Sequence, residues 1–585
     1  MLKLKERLSL FLKEKLNLFV NMNIMLTNRN FDNFIGWLKI MKNICDVLII
    51  GAGMSGLYAA YSATLSQPDS KVTLLTASEL GAGGCSKRTH GINAAMNEND
   101  SCELHVKDTL AGGAGINNPK LVKTLCNDII NRINELVSFG VRFDKNSDGS
   151  FNVGTYGGSS LSRSVHWYDI TGLEIVQELI KRIILNNCHV KENRWAINLL
   201  THDKNCYGAI ALNKETNQIE TYKAKTVILA TGGGACVYPI ASISTDKLAS
   251  GIIMGYKAGA SLTDMEMVQF HPTGVLIPGS IFNGSLLEEE MRTQGGKLLN
   301  INGKRYMFDY DERGELATRD IVARSSYFEI MEGRGTKNNG IIFDISMIDK
   351  KTLRKRFPKT LKRLRSCDVD LLIKEKVEIS PTAHFLMGGI VIDSSCKTEI
   401  NNLYACGEDS GGIHGANRLG GNGVADALVF GYIAGESAAR SAVNNNYSEN
   451  LDPIDIEFYK LNNIKDYKNI DSDIKKIMWK NVGLIRNGEQ LNSALEDIYQ
   501  IKDTLQHSIS TISSKENYYS DELILGSDLL NKIQLSIIIT KSAIKRKNSI
   551  GAHYRSDAIS EKTCYNTITK LKDNLDCEVI LNEIQ

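Results

Sequence analysis

Gly51, Gly53 and Gly56, set between an apolar run and a helix-forming segment, restrict this chain more than anything else in it. Asp46-Val-Leu-Ile-Ile50 reads as a buried strand and Leu57-Tyr-Ala-Ala-Tyr61 as the start of a helix. Glycines at this spacing make the tight strand-to-helix turn in which backbone amides approach a pyrophosphate. Lys71-Val-Thr-Leu-Leu75 then supplies the second strand of a βαβ unit. An acidic residue for an adenosine ribose is expected at the end of that strand. Only Thr76, Ala77 and Ser78 stand there before Glu79, so the strand ends without that acid. Thr226-Val-Ile-Leu-Ala230 running into Thr231-Gly232-Gly233-Gly234 repeats the strand-into-glycine pattern.

A second glycine-rich stretch extends from Ala383 to Asp426. It holds Ala383-His384, Met387-Gly388-Gly389, Gly407-Glu408 and His414-Gly415-Ala416-Asn417-Arg418-Leu419-Gly420-Gly421-Asn422. Glycine this dense lets main chain wrap a flat cofactor. An arginine fork in such a loop suits bidentate capture of a carboxylate or phosphate. Taken alone, the stretch equally fits a turn with a surface arginine. Three separated cofactor-type segments are too many for chance turns.

At 585 residues the chain has room for more than one domain. Its 69 basic and 67 acidic residues nearly cancel, so no overall field recommends nucleic acid. The basic run Lys350 to Arg365 reads as a solvated helix face. The 12 cysteines include no CxxC pair and no Cys/His ligand spacing, which argues against a zinc or iron–sulfur site; reduced thiols fit a cytosolic compartment. No run of 18 apolar residues occurs, so no membrane span is expected. Residues 1–43 are an extension in which Lys3, Lys5, Arg7, Lys13 and Lys15 alternate with Leu and Phe. They fit an amphipathic surface helix or an over-called start; the latter is favoured because Met41 directly precedes the first strand.

The alternation of strand-like and helical segments predicts an α/β architecture. A Rossmann-type domain (44–263 and 381–450) is interrupted by an α+β capping domain (264–380) and followed by a helical C-terminal domain (451–585). Within it, Ala209 to Leu212 and Lys223 to Ala230 read as strands, and Pro119 to Phe139 as a long amphipathic helix. Such an insertion makes a cleft, where ligands tend to sit.

Gln269-Phe-His271-Pro-Thr-Gly, Leu316-Ala-Thr-Arg319-Asp, Pro381-Thr-Ala-His384 and His414-Gly-Ala-Asn-Arg418 together resemble the flavoprotein subunits of succinate dehydrogenase and fumarate reductase, with L-aspartate oxidase as a near relative. The likeness spans about residues 44–560. It implies FAD on Gly51, Gly53, Gly56, Ser78, Gly91, Gly232 and Gly233, with Glu408 at the ribityl chain. The helix starting near Asn422 would point its positive end at the flavin C2 carbonyl. It also implies a C4-dicarboxylate substrate exchanging a hydride with flavin N5. His384 and Arg418 would hold one carboxylate, and His271 with Thr273 the other. Arg319 would be the proton donor or acceptor, fed through Arg292 and Glu289. Taken singly, each residue has a commoner reading as a hydrogen-bonded core histidine or an ion-paired arginine.

The chain departs from the family pattern in places. Where the membrane enzymes carry the histidine that links covalently to FAD, Gly84 aligns, and His90 is out of register; non-covalent FAD is expected. Ala249-Ser250-Gly251 and Arg292-Thr-Gln294-Gly295 replace commoner family strings. Tyr156 precedes Gly157-Gly158, where the oxidases carry a glutamate for the substrate ammonium. Tyr156, Met387-Gly388-Gly389 and Arg418-Leu-Gly-Gly421-Asn422 favour succinate/fumarate. Asp100-Ser101, His105-Val-Lys-Asp108 and Asp311-Glu-Arg-Gly-Glu-Leu316 favour L-aspartate oxidase. The first reading is preferred; it implies a quinone-linked membrane complex with a separate iron–sulfur subunit, and a place in the cytoplasm or on the inner face of its membrane.

Overall fold

The computed structural model describes residues 43–82, 85–242, 247–447, 457–513, 521–560, 564–572 and 576–584; the extension and Gly84 lie outside them. Five strands run parallel in the order His189–Lys191, Val72–Leu75, Ile44–Ile50, Gln218–Leu229 and Leu403–Ala405. Val72–Leu75, Leu403–Ala405, most of Ile44–Ile50 and the last part of Gln218–Leu229 are apolar and buried, as central parallel strands require, while the edge strand His189–Lys191 is partly exposed. The loops that leave their C-terminal ends, at Gly51, Thr76, Ala230 and Cys406, therefore open on one edge. Gln218–Leu229 outlasts its parallel neighbours, and its first half pairs antiparallel with Asn205–Asn213, which pairs with Arg194–His202.

Helix Met54–Ser66 follows the first strand, and Asn422–Asn444 packs on it. The turn between strand and helix demands glycine. Gly51 has φ +107°, and a Cβ at Gly56 would run into the Gly51 carbonyl.

A second core, drawn from Val275 to Ile379, belongs to the inserted cap. Its antiparallel sheet runs Val268–Val275, Lys376–Leu386, Ile341–Asp344, Lys297–Leu299. The first two strands carry register shifts between Gln269 and Phe270 and between His271 and Gly274, so His384 is left without a ladder partner. Bulges of this kind re-aim side chains beside active sites.

The C-terminal part is built from helices Ile464–Asn481, Gly488–Ser508 and Asp521–Lys545. Asp521–Lys545 has the length and apolar composition of a membrane span, which the sequence did not lead us to expect, but it is mostly buried against its neighbours. After the helices the chain forms a hairpin, Tyr565–Leu571 with Cys577–Glu583, that helical periodicity did not reveal. This hairpin pairs with Leu262–Thr263, which pairs with Gly389–Ile390. Both crossings into the cap thus lie in one small sheet with the C-terminal hairpin. Fully buried Arg546 locks the junction, donating to Glu266 Oε1 at 2.6 Å and Asp264 Oδ1 at 3.2 Å. Asn566 also donates to Asp264.

Candidate active site

An elongated cavity begins at Gly51–Ser55, runs past Ser78, Thr231, Gly232 and Glu408, and ends at His384 and Arg418. It occupies the edge on which the parallel strands end. The N-terminal amides of helix Met54–Ser66 face it, and the Met54 amide is held by Ser86 Oγ at 2.9 Å. Main-chain turns, a helix N-terminus and a cradle too tight for side chains suit a dinucleotide, and the residues present fit FAD. The second glycine turn is anchored by Asp409, which accepts from the Thr231 and Gly232 amides and from Thr231 Oγ1. Burial pushes the Asp409 carboxyl up to about 7. Lys247 pairs with Glu408 in the middle of the cavity.

At the far end the cap delivers its side chains. His271 and His384 meet edge to face with ring centroids 5.3 Å apart. Each is tied through Nδ1, His384 to Ser242 Oγ at 2.8 Å and His271 to the Thr273 amide at 3.3 Å and its hydroxyl at 3.1 Å. Neither Nε2 finds a hydrogen-bond partner among the described residues. Burial above all holds both rings well below the ordinary imidazole range, reinforced at His271 by Arg319 and at His384 by Arg418. They are therefore neutral, each with an Nε2 to offer a ligand.

The arginines share one carboxylate and one amide. Arg319 donates to Glu289 Oε2 through Nε at 2.7 Å, and its Nη1 reaches Gln269 Oε1 at 3.0 Å. Arg418 reaches the same Gln269 oxygen at 3.1 Å. Arg292 donates to Glu289 Oε1 at 2.8 Å and to the Glu315 carbonyl at 2.5 Å. The Gly157 amide donates to Glu289 at 3.2 Å. Burial pushes the Arg418 guanidinium down to about 9, with Arg319 adding to it, and burial also lowers Arg292. Three buried guanidiniums against one carboxylate make a positive pocket, strong for anions and costly to assemble. Arg418 lies over the Phe385 ring at 4.4 Å, which fixes its plane.

The fold thus brings together His271, Thr273, Arg319, Arg292, Glu289, His384 and Arg418. Tyr156 is buried beside them, where a Cβ on Gly420 would meet its ring and one on Gly91 its hydroxyl. Of the residues assigned to the cofactor, Gly51, Gly53, Ser78, Gly232 and Glu408 line the cavity. Gly56 lies behind the turn it permits. Gly91, Gly233 and Asn422 are not in the cavity wall. Gly91 packs on Ser164, Gly233 on Glu408, and the Asn422 amide bonds His105 at 3.0 Å and Thr109 at 2.9 Å; Gly423, Val424 and Ala427 line the wall instead.

Sequence reasoning assigned no role to Gln269 and Ser242. Gln269 could have been found from its place two residues before His271 on a strand, where alternation sets both on one face. Ser242 carried no signal. The oxidase-like strings lie outside the cavity lining. Arg163, fully buried, bonds Asp100 and Asp108 at 3.0 Å, while Glu315 takes Arg305 and lends its carbonyl to Arg292.

Residues 46–424 match the FAD binding domain family, and residues 471–577 the fumarate reductase flavoprotein C-terminal family. The chain is 36% identical over 525 residues to a subunit of the fumarate reductase (CoM/CoB) of Methanothermobacter marburgensis, covering 88% of this chain and 94% of that one. It is 34% identical over 534 residues to L-aspartate oxidase of Yersinia pestis, covering 88% and 96%. A variant of FrdA from E. coli quinol fumarate reductase superposes with a TM-score of 0.84 at 26% identity, covering 92% and 97%. With its dinucleotide cavity opening on that arginine and histidine cluster, the chain belongs to the FAD-dependent oxidoreductases of the succinate dehydrogenase, fumarate reductase and L-aspartate oxidase family.

Proposed function

We propose that this chain interconverts succinate and fumarate, as a flavoprotein subunit exchanging electrons with a separate iron–sulfur partner. One observation carries the reading. The ligand end of the cavity offers donors and cations but no free carboxylate among the described residues. Glu289 is taken by Arg319, Arg292 and Gly157, and Glu408, farther along the cavity, by Lys247. Two carboxylates are well served there, whereas an ammonium group finds no carboxylate that is not already paired with a cation. Bound FAD would supply the hydride chemistry. His384 and Arg418 would orient one carboxylate, and His271, steadied by Thr273, the other. Arg319 would hold the proton delivered to or taken from the neighbouring carbon, with Glu289 and Arg292 carrying it onward.

The relative named as a fumarate reductase subunit supports this reading and the need for a partner, since the scattered cysteines hold no cluster spacing. A partner at a quinone-linked membrane complex would place the chain peripherally on the inner face of that membrane. The likeness to L-aspartate oxidase favours a second reading, in which the protein works alone. Anaerobic flavin bleaching separates them. Succinate should bleach the flavin, or fumarate reoxidise dye-reduced protein, with no response to L-aspartate. Bleaching by aspartate with iminoaspartate formed would establish the oxidase instead.

Tyr156→Glu should raise the kcat/KM ratio of aspartate over succinate by about 10–100-fold, the worth of one hydrogen bond to a charged group. An unmoved ratio would remove Tyr156 from specificity. The FAD is proposed to be non-covalent, since His90 is engaged with Glu288 at 2.9 Å. Acid precipitation should leave the yellow colour in the supernatant; colour retained in the pellet would show a covalent link.

A further inference from the structure

His271, Thr273, Arg319 and Arg418 are all buried, so substrate reaches them only when the seam between cap and cofactor domain opens. One lip of that seam is the 3-10 turn Ser86–Arg88, whose Ser86 and flanking Cys85 and Thr89 line the cavity. The other lip is the helix pair Lys350–Arg356 and Pro358–Arg365. The lips touch directly. Lys359 Nζ donates to the Lys87 carbonyl at 3.2 Å, and the Thr360 amide to Asp169 at 2.8 Å.

The buried acidic groups at this seam are occupied, and two others, Asp349 at the start of the first helix and Asp370 beyond the second, lie within electrostatic reach of Lys351 and Arg354. Glu288 takes His90 and Thr360, Glu290 takes Arg356, and Asp169 caps the second helix. Facing outward, Arg88, Lys351, Arg354, Lys355 and Lys362 are exposed and enter no ion pair among the described residues. Five exposed cations against these two carboxylates leave an excess of positive charge beside the seam of a chain whose formal net charge is +2.

We propose that this face is an electrostatic entry surface, which gathers a dianionic dicarboxylate and steers it into the seam. The proposal rests on the dicarboxylate reading of the buried cluster. Same-sign charge beside a cleft raises association rates by about 10–10³-fold, and the gain fades once the Debye length shrinks to about 3–4 Å near 0.5–1 M salt.

The test compares wild type with K351Q/R354Q/K355Q/K362Q and with the charge-preserving K351R/R354K/K355R/K362R, all with equal flavin content. In a dye-driven assay the neutralised variant should lose about 5–10-fold in kcat/KM for fumarate at low ionic strength. Its kcat should be unchanged, the gap should close by about 0.5 M salt, and the charge-preserving variant should track wild type. A parallel arm follows malonate, a dicarboxylate that undergoes no hydride transfer, through its perturbation of flavin absorbance. A malonate salt slope that falls in the neutralised variant without any fumarate turnover would sustain the entry surface while sinking the succinate/fumarate reading. Equal slopes in all three proteins would overturn the entry surface. So would a defect seen only when a protein partner supplies electrons, since the face would then be a docking surface for an acidic protein.

Discussion

Arg319→Gln is expected to lower turnover by about 10³-fold, within the range a positioned proton donor contributes, while FAD content and dicarboxylate affinity stay close to wild type. Arg319 starts helix Arg319–Glu329 and is held on two sides, by Glu289 and by Gln269. Substrate carboxylates still have His384, Arg418 and His271, because Gln269 continues to bind Arg418. Glutamine keeps a polar side chain at the position but its amide is neither acid nor base enough to pass a proton. Steady-state rates with an artificial electron donor, beside a Kd from flavin absorbance, give the two numbers needed. An affinity loss as large as the rate loss would make Arg319 a carboxylate ligand and nothing more.

Glu289→Gln should act on both rate and stability. The carboxylate balances Arg319 and Arg292, and removing one partner of a buried ion pair costs about 3–5 kcal/mol. Turnover should fall about 10²-fold or more, since the proton path from Arg319 loses its acceptor. Burial by itself would raise the Glu289 carboxyl, but Arg319 and Arg292 outweigh it and hold it below the ordinary range. A depressed carboxylate stabilises the fold fully above its unfolded pKa of about 4.3 and loses that contribution as pH falls through the lower folded value. The gap in thermal midpoint between wild type and E289Q should therefore be flat from about pH 8 to 5 and narrow only in more acid solution, below that pKa. A gap that narrows near neutrality would contradict the pairing.

What sequence shows and what it hides follows from the range of each interaction. The Gly51 to Gly56 turn is local: strand, turn and helix are written in consecutive residues, so backbone sterics alone predict it. The cluster of His271, Arg319, His384 and Arg418 was legible as a set of types through family likeness, but not as a geometry. Bulges shift register there, and no periodicity announces that His384 loses its ladder partner. The side chain of Asn422 satisfies buried His105 and Thr109, a pairing across more than 300 positions that no local pattern shows, while Gly423 and Val424 of the same helix start line the cavity. The Asp100 and Asp311 strings pointed toward one branch of the family, but their side chains pair with Arg163 and Arg313. Gln269 went unassigned because its worth depends on two arginines 50 and 149 positions away.

The junction of Leu262–Thr263 with the C-terminal hairpin fixes the order in which this protein can be assembled. Asp264 and Asn566 meet across 302 positions, and Arg546 and Glu266 across 280. Contacts so distant in sequence are entropically late and slow to form. As the chain leaves the ribosome, the strands around Gly51 can pair and the cap core can collapse well before the cap's angle is set. Until residues past 566 emerge, the crossings Leu262–Thr263 and Gly389–Ile390 have only each other, and the small sheet lacks the hairpin that braces the cap. The turn at Gly51 to Gly56 can therefore form long before the cap is braced at its hinge, whereas the far end of the cavity, at Glu408 and Arg418, waits for the second half of the chain.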